Sequence, residues 1–233
     1  MDARPVPMRV ASRRAAAAPR AAGRLREQVR EGVRTVRRDR HLRVLVLIGG
    51  ASNFGLTGYQ ALLVVYLVDR LGLRPSAVSV VVMLGSAGGL LGAAVARRLA
   101  ARIGTGRAST VLLVLAGPSA LLVGLPTGAG ASYLTVVGLV LVGAGVVGGN
   151  VVRGAWRQRY VPGHLMGRVV TAGQIVNYGT MPLAGLAAGV LGAQLGVRAT
   201  MLVMAAVHAL ACLSVLATRI GRMRELPLPT LNR

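Results

Sequence analysis

Five stretches of this chain carry no charged residue: 44–68, 75–96, 108–152, 169–197 and 199–218. About 20 mostly apolar helical residues cross a hydrocarbon core roughly 30 Å thick, and a charge at its centre costs about 2.5–3.5 kcal/mol on insertion scales. Windows of this length, with charges only in short clusters between them, are what a bilayer demands of a chain that threads it repeatedly. Four windows hold one helix each. The window 108–152 is too long for a single crossing, and Pro126-Thr127-Gly128-Ala129-Gly130 breaks it with turn-forming residues. The expected fold class is therefore an all-α integral membrane protein with six transmembrane helices, over Val44–Val68, Ala77–Ala96, Ala108–Leu125, Tyr133–Val152, Val169–Leu195 and Ala199–Thr218.

Composition agrees: 54% of the 233 residues are hydrophobic and 15% charged, against about 25% charged in soluble domains. The spans divide the chain into a basic tail over 1–23, expected to lack regular structure, an amphipathic helix over 24–42, a membrane domain over 43–218 and a second tail over 219–233. No room remains for a separate catalytic domain. Cys212 is the only cysteine, so neither a disulfide framework nor a Cys/His zinc spacing can be drawn. Nucleophile elbows, phosphate-binding loops, metal motifs and paired carboxylates are all missing from the sequence. Neither enzymatic activity nor a metal or other cofactor is expected.

The formal charge of +22 comes from arginine alone. Nucleic-acid binders interleave basic patches with aromatic groups, whereas here aromatic residues make up 3% of the chain and thirteen arginines precede the first span; no nucleic-acid partner is expected. Counted by alternate compartments, 25 arginines fall on one side of the membrane and three (Arg70, Arg74, Arg198) on the other. Arginine-rich loops stay cytoplasmic, so both termini are expected inside. An all-arginine basic complement amid Ala, Gly, Val and Leu points to a high-GC bacterial genome and so to a bacterial inner membrane.

Ahead of the first span, Leu25, Val29, Val33 and Val36 recur at helical spacing, with Glu27–Arg30 and Glu31–Arg34 as i,i+3 pairs. Such a helix suits either an anionic membrane surface or the ends of the helix bundle. Small residues recur at close-packing intervals in Gly85/Gly89, Gly88/Gly92, Gly145/Gly149 and Gly185/Gly189, as expected where helices approach through their backbones in lipid.

Polar side chains inside apolar spans are the chief functional signal. Asn53, Thr57 and Gln60 share a face of the first span, with Tyr59 and Tyr66 beside it. Thr171, Gln174 and Asn177 or Tyr178 repeat the pattern in the fifth, Ser79, Met83 and Ser86 line a face of the second, and Asn150, Arg153 and Arg157 end the fourth. The third and sixth hold little beyond Ser119, His208 and Cys212. Four striped helices around an aqueous path, with two facing lipid, account for this. The competing reading is that such groups merely bond across helices, at about 0.6–2 kcal/mol each, and for His208 alone that reading is preferred. No Asp or Glu lies within a span, so the intramembrane carboxylate of a proton relay is missing.

At Leu25–Gly32, at Arg97-Arg98-Leu99-Ala100-Ala101-Arg102-Ile103-Gly104-Thr105-Gly106-Arg107, and at Arg157-Gln158, Pro162, Leu165 and Gly167-Arg168-Val169 followed by Asn177, Gly179 and Pro182, the sequence resembles the major facilitator superfamily. Within it, the likeness is to the C-terminal six-helix half of bacterial exporters of the enterobactin-exporter and macrolide-efflux type. The resemblance implies alternating access between two halves, with a cavity lined by the first, second, fourth and fifth helix of each. Asn53, Thr57, Gln60, Gln174, Asn177 and Tyr178 would then contact a small amphiphilic substrate, and Asn150 and Arg153 would stand near its cytoplasmic mouth. Arg97, Arg98, Arg102, Gly104 and Arg107 would form the gating loop, although Ala96 and Arg97 occupy the place where the family often has an acid. Gly179, Pro182, Gly185 and Gly189 resemble a degenerate antiporter helix motif, implying a bent, closely packed helix. The implied partners are the bilayer, the substrate, and a separate N-terminal half or a second copy of the chain. The half-length chain is read as the product of an internal start, a true half-transporter or a decayed remnant. The alternative from another class is a non-transporting membrane interaction protein with a lipid-binding basic arm.

Overall fold

The computed structural model describes residues 18–228; the basic tail up to residue 17 and the last five residues lie outside them. Asp39 sets the first boundary. Its Oδ1 accepts from the amides of His41 and Leu42 at 2.9 Å each, the N-cap bond that starts a helix. This separates α1 (Ala18–Arg38) from α2 (Arg40–Val65), which continues through a π-helical turn, Tyr66–Arg70. Helix α1 begins inside the stretch expected to lack structure, with Pro19 in its first turn, where a missing N–H costs nothing. Then follow α3 (Pro75–Ile103), α4 (Thr105–Gly124), α5 (Ser132–Tyr160), α6 (Gly163–Leu195) and α7 (Val197–Leu213), with 3-10 turns over Ser214–Ala217 and Ile220–Arg222.

Six helices are long and apolar enough to cross a membrane, as the charge-free windows require. The 29 residues of α3 and of α5 amount to about 43 Å at 1.5 Å per residue, more than a bilayer core. The surplus lies at one end of the bundle, where α3 and the start of α4 carry Arg97–Arg107 and α5 and α6 carry Arg157–Arg168. This charged end also receives α1 and the C-terminal segment. The far end holds Arg70, Arg74 and Arg198, and there Arg198 Nη2 donates to the Leu125 carbonyl at 3.1 Å and the Tyr66 hydroxyl donates to that of Pro126.

Helix neighbours follow a rule. Helix α3 packs along α5 and α6 along α2; α4 packs along α5 and α7 along α2; α4 meets α7; and α3 touches α4 as α6 touches α7. Exchanging α2 with α5, α3 with α6 and α4 with α7 returns the same set of pairs. Because each repeat holds three crossings, the second enters from the opposite side, so the bundle is built of two inverted three-helix repeats.

Glycines set the tightest crossings. A β-carbon on Gly88 would stand 2.6 Å from Val140 Cα, and one on Gly92 the same distance from Ala144 Cα, so α3 and α5 touch backbone to backbone. In contrast, nothing lies within 4 Å of a β-carbon at Gly179, Gly185 or Gly189. The close packing expected of that helix is not made within the six-helix bundle, because this face of α6 turns outward. Burial within the six-helix bundle is uneven. Twelve of the twenty residues of α4 are buried but only five of the thirty-three of α6. Helices α4 and α7 are poor in polar groups because they form the packed middle of the bundle, while α3 and α6 flank it and expose broad apolar faces with Leu90, Leu91, Leu183 and Leu186.

Between the two settings expected for α1, the bundle end is the one adopted. Gly32 rests on the Arg168 carbonyl, Val36 is buried, and Glu31 pairs with Arg168 rather than with Arg34. That is the only ion pair among the described residues, so Glu27–Arg30 is not formed.

Candidate functional site

Between α2, α5 and α6 lies a cleft of about 310 Å³. Its walls run from Leu42 to Leu56 on α2, from Val146 to Arg157 on α5 and from Val169 to Tyr178 on α6, with Leu113 of α4 at the back. The fourteen helical steps from Leu42 to Leu56 make it about 21 Å deep, and all of it lies toward the charged end. Its volume is at the lower bound of small-molecule sites, which are mostly apolar with a few placed polar groups.

Six of the eight residues expected to line a substrate cavity border this cleft: Asn53, Asn150, Arg153, Gln174, Asn177 and Tyr178. Asn53 Nδ2 donates to the Asn177 carbonyl across the α2–α6 contact at 2.7 Å, a carbonyl that also accepts from the Thr180 hydroxyl at 2.8 Å. The Asn177 amide turns back to the Gly173 carbonyl at 3.0 Å. Gln174 and Tyr178 have exposed side chains. Thr57 and Gln60 are not brought in. They stand one and two turns beyond Asn53 toward the far end, past Leu56 where the cleft closes.

Arg153 folds back along its own helix. Its guanidinium lies where a side chain on Gly149 would sit, 2.8 Å from that β-carbon position, with Nη2 donating to Asn150 Oδ1 at 3.0 Å and Nη1 reaching Ser109 Oγ at 3.5 Å. Ser109, fully buried on α4, is a contributor the sequence reading passed over, since one serine in an apolar helix gives no signal of what faces it. Arg157, one turn on, also borders the cleft, and its Nε is buried without a partner among the described residues.

His208 lies apart from the cleft, fully buried. Its Nδ1 donates to the Ser52 carbonyl at 2.9 Å, and the Cys212 thiol points to Ser52 Oγ at 3.5 Å. Gly55 lets the α7 backbone approach at this point. The imidazole bonds α7 to α2 as a helix contact.

Of the expected gating loop, Arg97, Arg98, Arg102 and Arg107 are exposed, and Gly104 (φ +92°) makes the turn from α3 to α4. The acid absent from the loop comes from the C-terminal segment. Glu225 Oε2 accepts from the Thr105 hydroxyl at 2.8 Å and its amide at 3.1 Å, capping α4, while the amide of Gly106 donates to the Arg224 carbonyl at 2.9 Å. These bonds hold the Glu225 carboxyl below its usual range. In the α5–α6 connection, Gln158, Pro162 and Gly167 are exposed and Arg168 meets Glu31. The same end is closed by the Tyr160 hydroxyl donating to Asp39 at 2.6 Å and by Trp156 Nε1 donating to the Pro227 carbonyl at 2.8 Å.

Six membrane-length helices in two inverted repeats around a polar cleft describe a multi-pass transport protein. The chain belongs to the Major Facilitator Superfamily, whose family model matches residues 4–185. It is thus a membrane protein of a transporter family, not an enzyme family, and its six-helix bundle is consistent with one half of that fold. No curated protein and no solved structure matches the chain.

Proposed function

We propose that the chain is the C-terminal six-helix half of an exporter-type permease that moves small amphiphilic molecules outward by alternating access. The observation that carries this reading is the convergence of Asn53, Asn150, Arg153, Gln174, Asn177 and Tyr178 on one cleft. Asn53, Gln174, Asn177 and Tyr178 contact substrate; Thr57 and Gln60 extend the same face of α2 for a substrate reaching further out; Asn150 and Arg153 stand nearer the mouth. Arg97–Arg107 with Gly104 is the gate, and the Arg157–Arg168 connection between α5 and α6 is a second arginine-rich loop at the same end. In this reading the charged end, both tails and α1 face the cytoplasm across a bacterial inner membrane, which the arginine distribution supports. The outward apolar faces of α3 and α6 receive the other half, supplied as a separate chain or a second copy.

Transport of a fluorescent amphiphile into inverted vesicles tests this, with the chain alone and with a co-expressed N-terminal half. Replacing Asn53 and Gln174 by Leu should abolish movement at unchanged expression. Absence of movement by the unaltered chain in both settings favours a non-transporting membrane protein instead.

A further inference from the structure

The cleft holds two full positive charges and, among its lining residues, no carboxylate. Of the described acids, Glu31 is engaged by Arg168, Glu225 by Thr105, and Asp39 by Tyr160 and two amides of α2. Glu27 lies on α1, and Asp69 at the far end. Arg153 and Arg157 stand four residues apart on one helix face, an arrangement in which like charges repel. Helix-end electrostatics accounts for the sign of Arg157, in the last turn of α5, but not for Arg153, two turns from the end. Nor is Arg153 a stray surface cation: Gly149 leaves space for its guanidinium, and Asn150 and Ser109 hold two of its nitrogens. A fork held on one edge presents its remaining donors to whatever fills the cleft, and a carboxylate, phosphate or sulfate matches that geometry.

We infer that the cleft takes amphiphiles with an anionic head, Arg153 and Arg157 binding the head and the apolar side chains of α2 the tail. This rests on the cleft being the substrate cavity, and it names the class of substrate. Free amphiphiles and anionic phospholipids share the head-group chemistry.

Trp156 is the chain's only tryptophan and borders the cleft, so its fluorescence reports occupancy. The full chain in nanodiscs of zwitterionic lipid is titrated with three bromine-bearing quenchers of one tail: 11-bromoundecanoate, 11-bromoundecanol and 11-bromoundecyltrimethylammonium. The carboxylate should quench at about tenfold lower concentration than the alcohol, the margin of one charge-assisted contact, and the ammonium least. Replacing both arginines by Gln should bring the carboxylate to the level of the alcohol without changing the alcohol, while replacing both by Lys restores much of the preference. Should the Gln variant not fold, the three-probe series on the unaltered chain decides alone. Equal quenching by all three overturns the head-group inference and leaves the cavity standing; no saturable quenching by any of them overturns both. Adding phosphatidylglycerol tells the two sources apart: displacement of the carboxylate assigns the site to a bilayer lipid, persistence to a free amphiphile, and either supports recognition of an anionic head.

Discussion

Replacing Gly88 by Ala should part α3 from α5. A β-carbon there would stand 2.6 Å from Val140 Cα and 2.7 Å from its carbonyl carbon, against ordinary contact from 3.4 Å. Restoring that contact to Cα alone moves the helices by about 0.8 Å, and backbone, unlike a side-chain tip, has no rotamer in which to retreat. A gap of about 0.5–1 Å forfeits a quarter to a half of each dispersion contact along the crossing, and overpacking costs about 1–3 kcal/mol. Alanine returns at most about 1 kcal/mol through helix propensity. The net expectation is a loss of about 1–2 kcal/mol. Gly92, one turn on, meets Ala144 in the same way, so a single displacement relieves both, and the double variant should cost little more than either alone. At Gly185 and Gly189 nothing lies near, and alanine should be neutral or stabilising by up to about 1 kcal/mol. Cys212, the lone and fully buried thiol, supplies the assay: a maleimide dye that fluoresces on thiol reaction follows unfolding during heating in detergent. Gly88→Ala should lower the midpoint by roughly 2–8 °C and Gly185→Ala should not. The reasoning is refuted if Gly88→Ala melts with the unaltered chain, or if Gly185→Ala melts first.

The Glu225 carboxyl titrates below its usual range because it accepts two bonds at the start of α4. The contribution of its contact is therefore complete above the ordinary glutamate value and fades as pH falls through the lowered one. Trp156, bonded to Pro227 just beyond it, should show a red-shifted emission in Glu225→Ala at neutral pH, and in the unaltered chain only on acidification. Replacing His208 by Leu removes one interhelical bond to Ser52 and should cost about 1 kcal/mol in the same dye assay with transport retained. Loss of proton-gradient-driven transport at unchanged stability would instead make the imidazole a proton carrier.

The number of spans was legible because charge-free windows and the Pro126–Gly130 break are local properties that a bilayer enforces. Most of the cleft was legible for a similar reason: Asn53, Gln174 and Asn177 are expensive in lipid, and the register of α2 and α6 brings them together. Thr57 and Gln60 are polar at the right spacing but lie past the depth at which the helices close, and depth is a property of packing that helical period does not encode. Ser109 and Glu225 were missed because each acts on a partner about 44 or 120 positions away. How deeply α4 packs was not legible, because few polar groups mark a helix packed against other helices as readily as one packed against lipid.

The neighbour pattern constrains the order of assembly during synthesis. Among the membrane-length helices, α2 packs extensively only with α6 and α7, which emerge from the ribosome after about a hundred further residues, roughly 5–20 s at ordinary elongation rates. Throughout that interval the newly inserted α2 waits with Ser52 and Asn53 unmatched, while α3, α4 and α5 can already associate. Premature termination anywhere before α6 would leave α2 in the bilayer without either of these packing partners, a polar helix of the kind that membrane quality control removes.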